Sequence, residues 1–221
     1  MNLARPRIKS VIIALIPIAL MVALATGVWR VRTDSKEAIC HGNMAGMAVH
    51  LFDYRDLYGH FPPAVFTGAG TKPLHSWRVS LHSYVERTTQ NPEFDRAYHF
   101  DQRWDSPANL ANSKEVPPMF VCPNNQGEPR RYTNYVALID RGVSSLEWAD
   151  AIPRNSPEAA LRVLLIEHPN SDILWTEPRD LHSKELPSLR VGSDPRGLGV
   201  IFADGHFRRL SVNEIGKIFS R

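Results

Sequence analysis

The chain predicts an α+β protein in which an N-terminal transmembrane helix leads into an amphipathic helix packed on a small antiparallel sheet. Three observations carry this expectation. Residues 11–29, VIIALIPIALMVALATGVW, contain no charge. Downstream, Cys40, Asn43, Met44, Met47, Leu51, Tyr54 and Tyr58 recur at offsets of three and four, which is one face of a helix. Short β-rich runs bounded by turn residues follow, ending in GLGVIFADGHFRRLS (197–211), a hairpin pattern.

Residues 1–10 form a basic tail through Arg5, Arg7 and Lys9. As a helix, 11–29 spans about 28 Å, close to the ~30 Å hydrocarbon core of a bilayer. Trp29 and Arg30 suit the membrane interface, and Pro17 is tolerated inside a membrane helix. The rival reading is a cleaved secretory signal, with Ala23-Leu24-Ala25 as the small-x-small site and cleavage after Ala25. Either way the bulk of the chain is expected to leave the cytoplasm; uncleaved, it is expected in the cell membrane, with a cytoplasmic N-terminus, a single pass and an extracytoplasmic domain, the lipid bilayer being the partner of residues 11–29. Removing the three tail cations from the 26 basic residues leaves 23, equal to the 23 acidic ones. The folded part is therefore formally neutral and lacks the basic excess of a nucleic-acid groove.

Residues 30–59 continue as a spine, with Asp53 turned away from the packed face. Asp34 and Glu37 resemble a capping box that would restart a helix after a break; without a break, one long helix would run from membrane into domain. Gly59 sits where a left-handed C-terminal cap belongs, and Pro62-Pro63 prevents resumption. Residues 60–221 then form the globular α+β domain. SWRVSLHSYVER (76–87) reads as a short helix with Trp77, Leu81, Tyr84 and Val85 inward, and 88–131 reads mainly as loops. TNYVALI (133–139), ALRVLLIE (160–167) and DILWTE (172–177) read as strands. Asp204-Gly205 predicts a type I′ turn, and VNEIGKIFSR closes the chain as a small helix.

Several separated motifs then resemble a known family. CHGNMAGMAVHLFDYRDLYGHFPPA, LHSWRVSLHSYVE, FDQRWDSPANLA, FVCPN, TNYVAL, LLIE, WTEPRDL and VIFADGHFRRLS are similar, in this order, to motifs of the planctomycete pilin-like, or pseudopilin-like, paralogous group of unknown function. The resemblance covers residues 38 to 211. It implies a pilin-like architecture and a role in structure, adhesion or assembly at the cell envelope, with self-association or pseudopilin-like partners. Two departures stand out. The family's Phe-Thr-Leu-x-Glu leader is missing from the first residues, and its C-terminal histidine, ten positions before the aspartate of the Asp-Gly pair, is Asp194 here.

Cys40 and Cys122 are the only cysteines and coincide with family cysteine positions. In an oxidising compartment they are expected to pair, the alternative being two buried free thiols. Nine histidines, at 41, 50, 60, 75, 82, 99, 168, 182 and 206, show neither an HExxH nor a paired CxxC pattern, so no metal is expected. Asp194 and Asp204 raise calcium, but two carboxylates fall short of a cage of six or more oxygens. There is no GxSxG elbow, and GAGTK (68–72) lacks phosphate-loop spacing. Glu167-His168 with Glu177 is the best acid–base set, yet no nucleophile joins it, so neither catalysis nor a cofactor is expected. Trp77, Trp104, Trp148 and Trp175 read as core before they read as sugar platforms. The reading reached is an anchored structural or adhesive protein. Its alternatives are an anchored module binding a carbohydrate or other solute and, third, an envelope hydrolase.

Overall fold

The computed structural model describes residues 8–68, 72–90, 92–123, 131–189 and 197–219. A single α-helix, α1 (Ile8–Tyr58), carries both the apolar segment and the spine, with Pro17 inside it. No restart occurs at Asp34, so the alternative of one long helix is the observed one. Ile16, Leu20, Leu24 and Trp29 are exposed, whereas Cys40, Met44, Met47 and Leu51 are buried. The change falls where the three-and-four spacing begins. Among the described residues α1 is the one helix long and apolar enough to cross a membrane.

Gly59 ends α1 with φ +83, and its N–H donates to the Arg55 carbonyl at 2.7 Å. This is the expected left-handed cap. Phe61 is then pinned, its N–H donating to the Asp150 carboxylate at 2.7 Å. A two-stranded ribbon, β1 (Val65–Thr67) and β2 (Pro73–Ser76), leads into α2 (Trp77–Thr88). The stretch expected to be loop contains two short helices, α3 (Glu93–Ala97) and α4 (Pro107–Asn112). The second is signalled locally: Ser106 caps it by accepting from the Asn109 N–H, with Pro107 in its first turn.

The main sheet comprises β3 (Tyr135–Asp140), β4 (Val143–Ser144), β5 (Val163–Glu167), β6 (Leu181–His182), β7 (Leu198–Phe202) and β8 (Phe207–Leu210). Its order is β4-β3-β5-β7-β8, with antiparallel neighbours, while β6 pairs parallel with β3. α5 (Ser145–Asp150) follows β4 behind a Ser144–Glu147 capping box, and α6 (Val212–Phe219) closes the described chain. One core lies between the sheet and α1, α2 and α5, holding Met47, Trp77, Tyr135 and Leu165. A second lies on the other sheet face, where Val136, Ile166 and Val200 meet Leu186 and Ile215. The pairing slips between Val163 and Leu165, so Leu164 and Leu165 both join the α1 side while Val163 and Ile166 join the other. Such a slip is what one extra residue does to strand alternation.

Two further local expectations are corrected. DILWTE (172–177) is not a strand: Leu174 makes one isolated bridge to Tyr132, and the chain then turns. The Glu177 N–H returns to the Leu174 carbonyl at 2.9 Å, and the Thr176 carbonyl accepts from Ser76 instead of a sheet neighbour. The β7–β8 turn is not type I′, which needs positive φ at both central residues. Only Gly205 has it, at +93. Its N–H donates to the Phe202 carbonyl at 2.8 Å while Phe202 N–H donates to the His206 carbonyl at 3.0 Å. The loop is thus the three-residue form, Ala203-Asp204-Gly205, with the glycine in the left-handed place.

Candidate functional site

The residues that carry chemistry-bearing side chains gather where α1 enters the domain. Cys40 on α1 and Cys122 form a disulfide across 82 positions, with Cα atoms 4.8 Å apart. One turn on, the Asn43 amide donates to the carbonyls of Pro118 and Val121 at 2.9 and 2.8 Å. Asn134 completes the clasp, accepting from the Cys122 N–H at 2.9 Å and donating to the His168 carbonyl at 3.2 Å. The cysteine stretch, the VCPN stretch and the TNY stretch are therefore one structural unit.

Beside the disulfide lies a charge chain joining helix to sheet. Arg209 on β8 meets Glu37 on α1 at 3.3 Å and Glu167 on β5 at 3.5 Å. Glu167 also accepts from the Gly199 N–H at 3.0 Å, so its carboxylate is satisfied although only 6% of the residue is exposed. A Cβ at Gly199 would stand 2.8 Å from the Met44 sulfur, so the absence of a side chain lets α1 approach the sheet. Cys40, Cys122 and Glu167 place ligand-type atoms within 4.8 Å of one another. With the sulfurs joined there is no thiolate to offer a cation.

A second gathering is deeper. Arg78 on α2 and Asp180 form a buried ion pair. Asp180 also accepts from the Trp77 indole N–H at 3.2 Å and the Ala137 N–H at 3.0 Å, while Arg78 Nε donates to the Tyr135 carbonyl at 3.1 Å. Burial pushes the Asp180 carboxyl up and the Arg78 guanidinium down, each opposed by the other's charge. Nearby, His75 lies among the rings of Phe66, Tyr98 and Phe100. Desolvation there takes its pKa down to about 4 and pushes the Tyr98 hydroxyl well above its ordinary value. The buried ion pair joins SWRV to WTEPRDL, two motifs that are remote in sequence.

The hairpin residues serve the same end. Asp204 Oδ1 accepts from the His206 N–H at 3.0 Å, and the Asp204 carbonyl accepts from Arg154, whose guanidinium stacks 3.9 Å over Phe52 of α1. A Cβ on Gly205 would come 3.1 Å from the Phe52 ring. Asp194 lies outside the described residues, as do residues 69–71 of GAGTK. Glu167, His168 and Glu177 are not brought together: Glu167 faces Arg209 and Gly199, whereas Glu177 holds Arg179 at 2.8 Å. Trp77 and Trp175 are core, and Trp104 and Trp148 are half-buried. Arg78 was missed by sequence reasoning, although a cation between Trp77 and Val79 in a helix start signals burial or a partner.

Residues 32–160 match the family model described as a protein of unknown function (DUF1559). No curated protein and no solved structure matches the chain.

Proposed function

Given that this chain belongs to the DUF1559 family of proteins of unknown function, we propose that it is a pilin-like envelope protein, anchored through residues 11–29, whose role is structural or adhesive and not catalytic. One observation carries this reading: α1 passes without a break from its exposed apolar half into the core, where a disulfide fastens it. A helix so placed is anchor and spine together. The motif residues support the same reading, because Asn43, Arg78, Asn134, Glu167 and Gly205 all pin one element to another. The outward face of α1 supports assembly with further copies. Ile39, Val49 and Leu57 are exposed there, and no atom stands within 4 Å of a Cβ built at Gly42. A small residue such as Gly42 lets helices approach closely, and the exposed aliphatics beside it offer apolar area to bury.

The test is extraction and topology of the full-length chain in its host membranes. It should resist alkaline carbonate, sediment with the membranes, and be digested by protease added outside intact spheroplasts. Release by carbonate, or complete protection of the domain, would overturn the proposal.

A further inference from the structure

On the sheet face turned away from α1, the stretches after β5 and around β6 line a half-open pocket of about 440 Å³. This falls within the range of small-molecule sites, roughly 300–1,000 Å³. Ile173 and Leu181, both of the second core, provide an apolar floor. His168, Asp172, His182 and Glu185 stand around it.

The hydrogen-bonding capacity left over defines the ligand. Arg179 is the cation in the lining, and it is neutralised twice, by Asp172 at 3.0 Å and Glu177 at 2.8 Å. An anion would therefore meet carboxylates without a compensating charge. Asp172 uses Oδ1 for Arg179, and Glu185 uses Oε2 for the His182 N–H at 2.9 Å. Their second oxygens have no partner among the described residues. Burial holds the His168 imidazole in its neutral form, which donates at one nitrogen and accepts at the other. A divalent cation is disfavoured by spacing, since these four side chains contribute no metal-ligand group among the described residues. A hydroxyl group, at once donor and acceptor, answers both carboxylate oxygens and imidazoles.

We propose that this cavity binds an uncharged polyhydroxylated solute of monosaccharide size, its hydroxyls donating to Asp172 and Glu185 and its C–H face resting on Ile173 and Leu181. The inference stands independently of the membrane reading. It is tested with the full-length protein in lipid nanodiscs free of sugar-headgroup detergent, titrated calorimetrically with glucose, galactose, mannose and N-acetylglucosamine. At least one should bind saturably with a Kd of about 1 mM or tighter. Glu185→Gln and Asp172→Asn, which alter acceptors at exposed positions, should each weaken binding about tenfold, a loss of one hydrogen bond. Glu158→Gln, away from the cavity, should leave it unchanged. Three results would overturn the proposal: no saturable binding of any of the four sugars, binding indifferent to both cavity variants, or binding of zinc or choline in place of sugar.

Discussion

Arg78 and Asp180, 102 positions apart, meet as an ion pair whose side chains are 0% and 2% exposed. Removing either partner leaves the other charge buried and uncompensated. Arg78→Met or Asp180→Ala should therefore destabilise the domain by about 3–5 kcal/mol. Thermal melts of the full-length protein in one detergent provide the comparison. A loss below about 1 kcal/mol would show that the pair is not the pin described.

The Cys40–Cys122 bond closes a loop of 82 positions between the spine and the domain. In the chain-entropy account, opening such a loop costs about 4–5 kcal/mol. Reduction, or the Cys40→Ser/Cys122→Ser pair, should lower the melting temperature and slow migration on a non-reducing gel. Equal mobility with and without reductant would contradict the bond.

Gly205 has φ +93, and a Cβ there would lie 3.1 Å from the Phe52 ring. Strain and crowding act together, so Gly205→Ala should cost about 1–3 kcal/mol. Gly59 is also at positive φ, but with nothing within 4 Å. Gly59→Ala should cost less, about 1 kcal/mol. Denaturant midpoints of the two variants give the order, and equal losses would remove the close approach from the explanation.

His75 titrates near 4 in the fold against an ordinary 6.5, because burial disfavours its charged form. As pH falls below 6.5 the unfolded chain takes up this proton first. Stability present above pH 6.5 is then lost progressively down to about pH 4, by on the order of 2–3 kcal/mol. His82 and His168 are lowered too and act in the same direction. His75→Phe should flatten part of the melting-temperature slope between pH 6.5 and 4. An unchanged slope would exclude His75 as its source.

If copies assemble through the outer face of α1, Val49→Glu should abolish sedimentable oligomers while leaving the melting temperature nearly unchanged, since Val49 is 55% exposed. Persistence of those oligomers in the variant would remove this face from the interface.

The spine was legible because its apolar residues keep a helical period, and the cap at Gly59 because glycine there has a backbone reason. Ala48 and Phe52 escaped that pattern, although both are buried. Phe52 is covered by the β7–β8 turn and Arg154, elements more than 90 positions away that no local spacing could announce. DILWTE misled through composition alone. Trp175 is apolar to satisfy the first core, with its indole N–H donated to the Ser113 carbonyl at 3.2 Å, not to serve a sheet face. The paired cysteines were readable from their number and placement. The Arg78–Asp180 pair and the pocket beside β6 were not, because each is assembled from segments that only the fold makes neighbours.

Continuity of α1 has a mechanical consequence. At 51 residues the helix is about 76 Å long, and its second half is fastened at Cys40, Asn43 and Phe52. With tethers spread along about three turns, the domain cannot roll about α1 without breaking one of them: the disulfide, the Asn43 amide bonds or the stacking on Phe52.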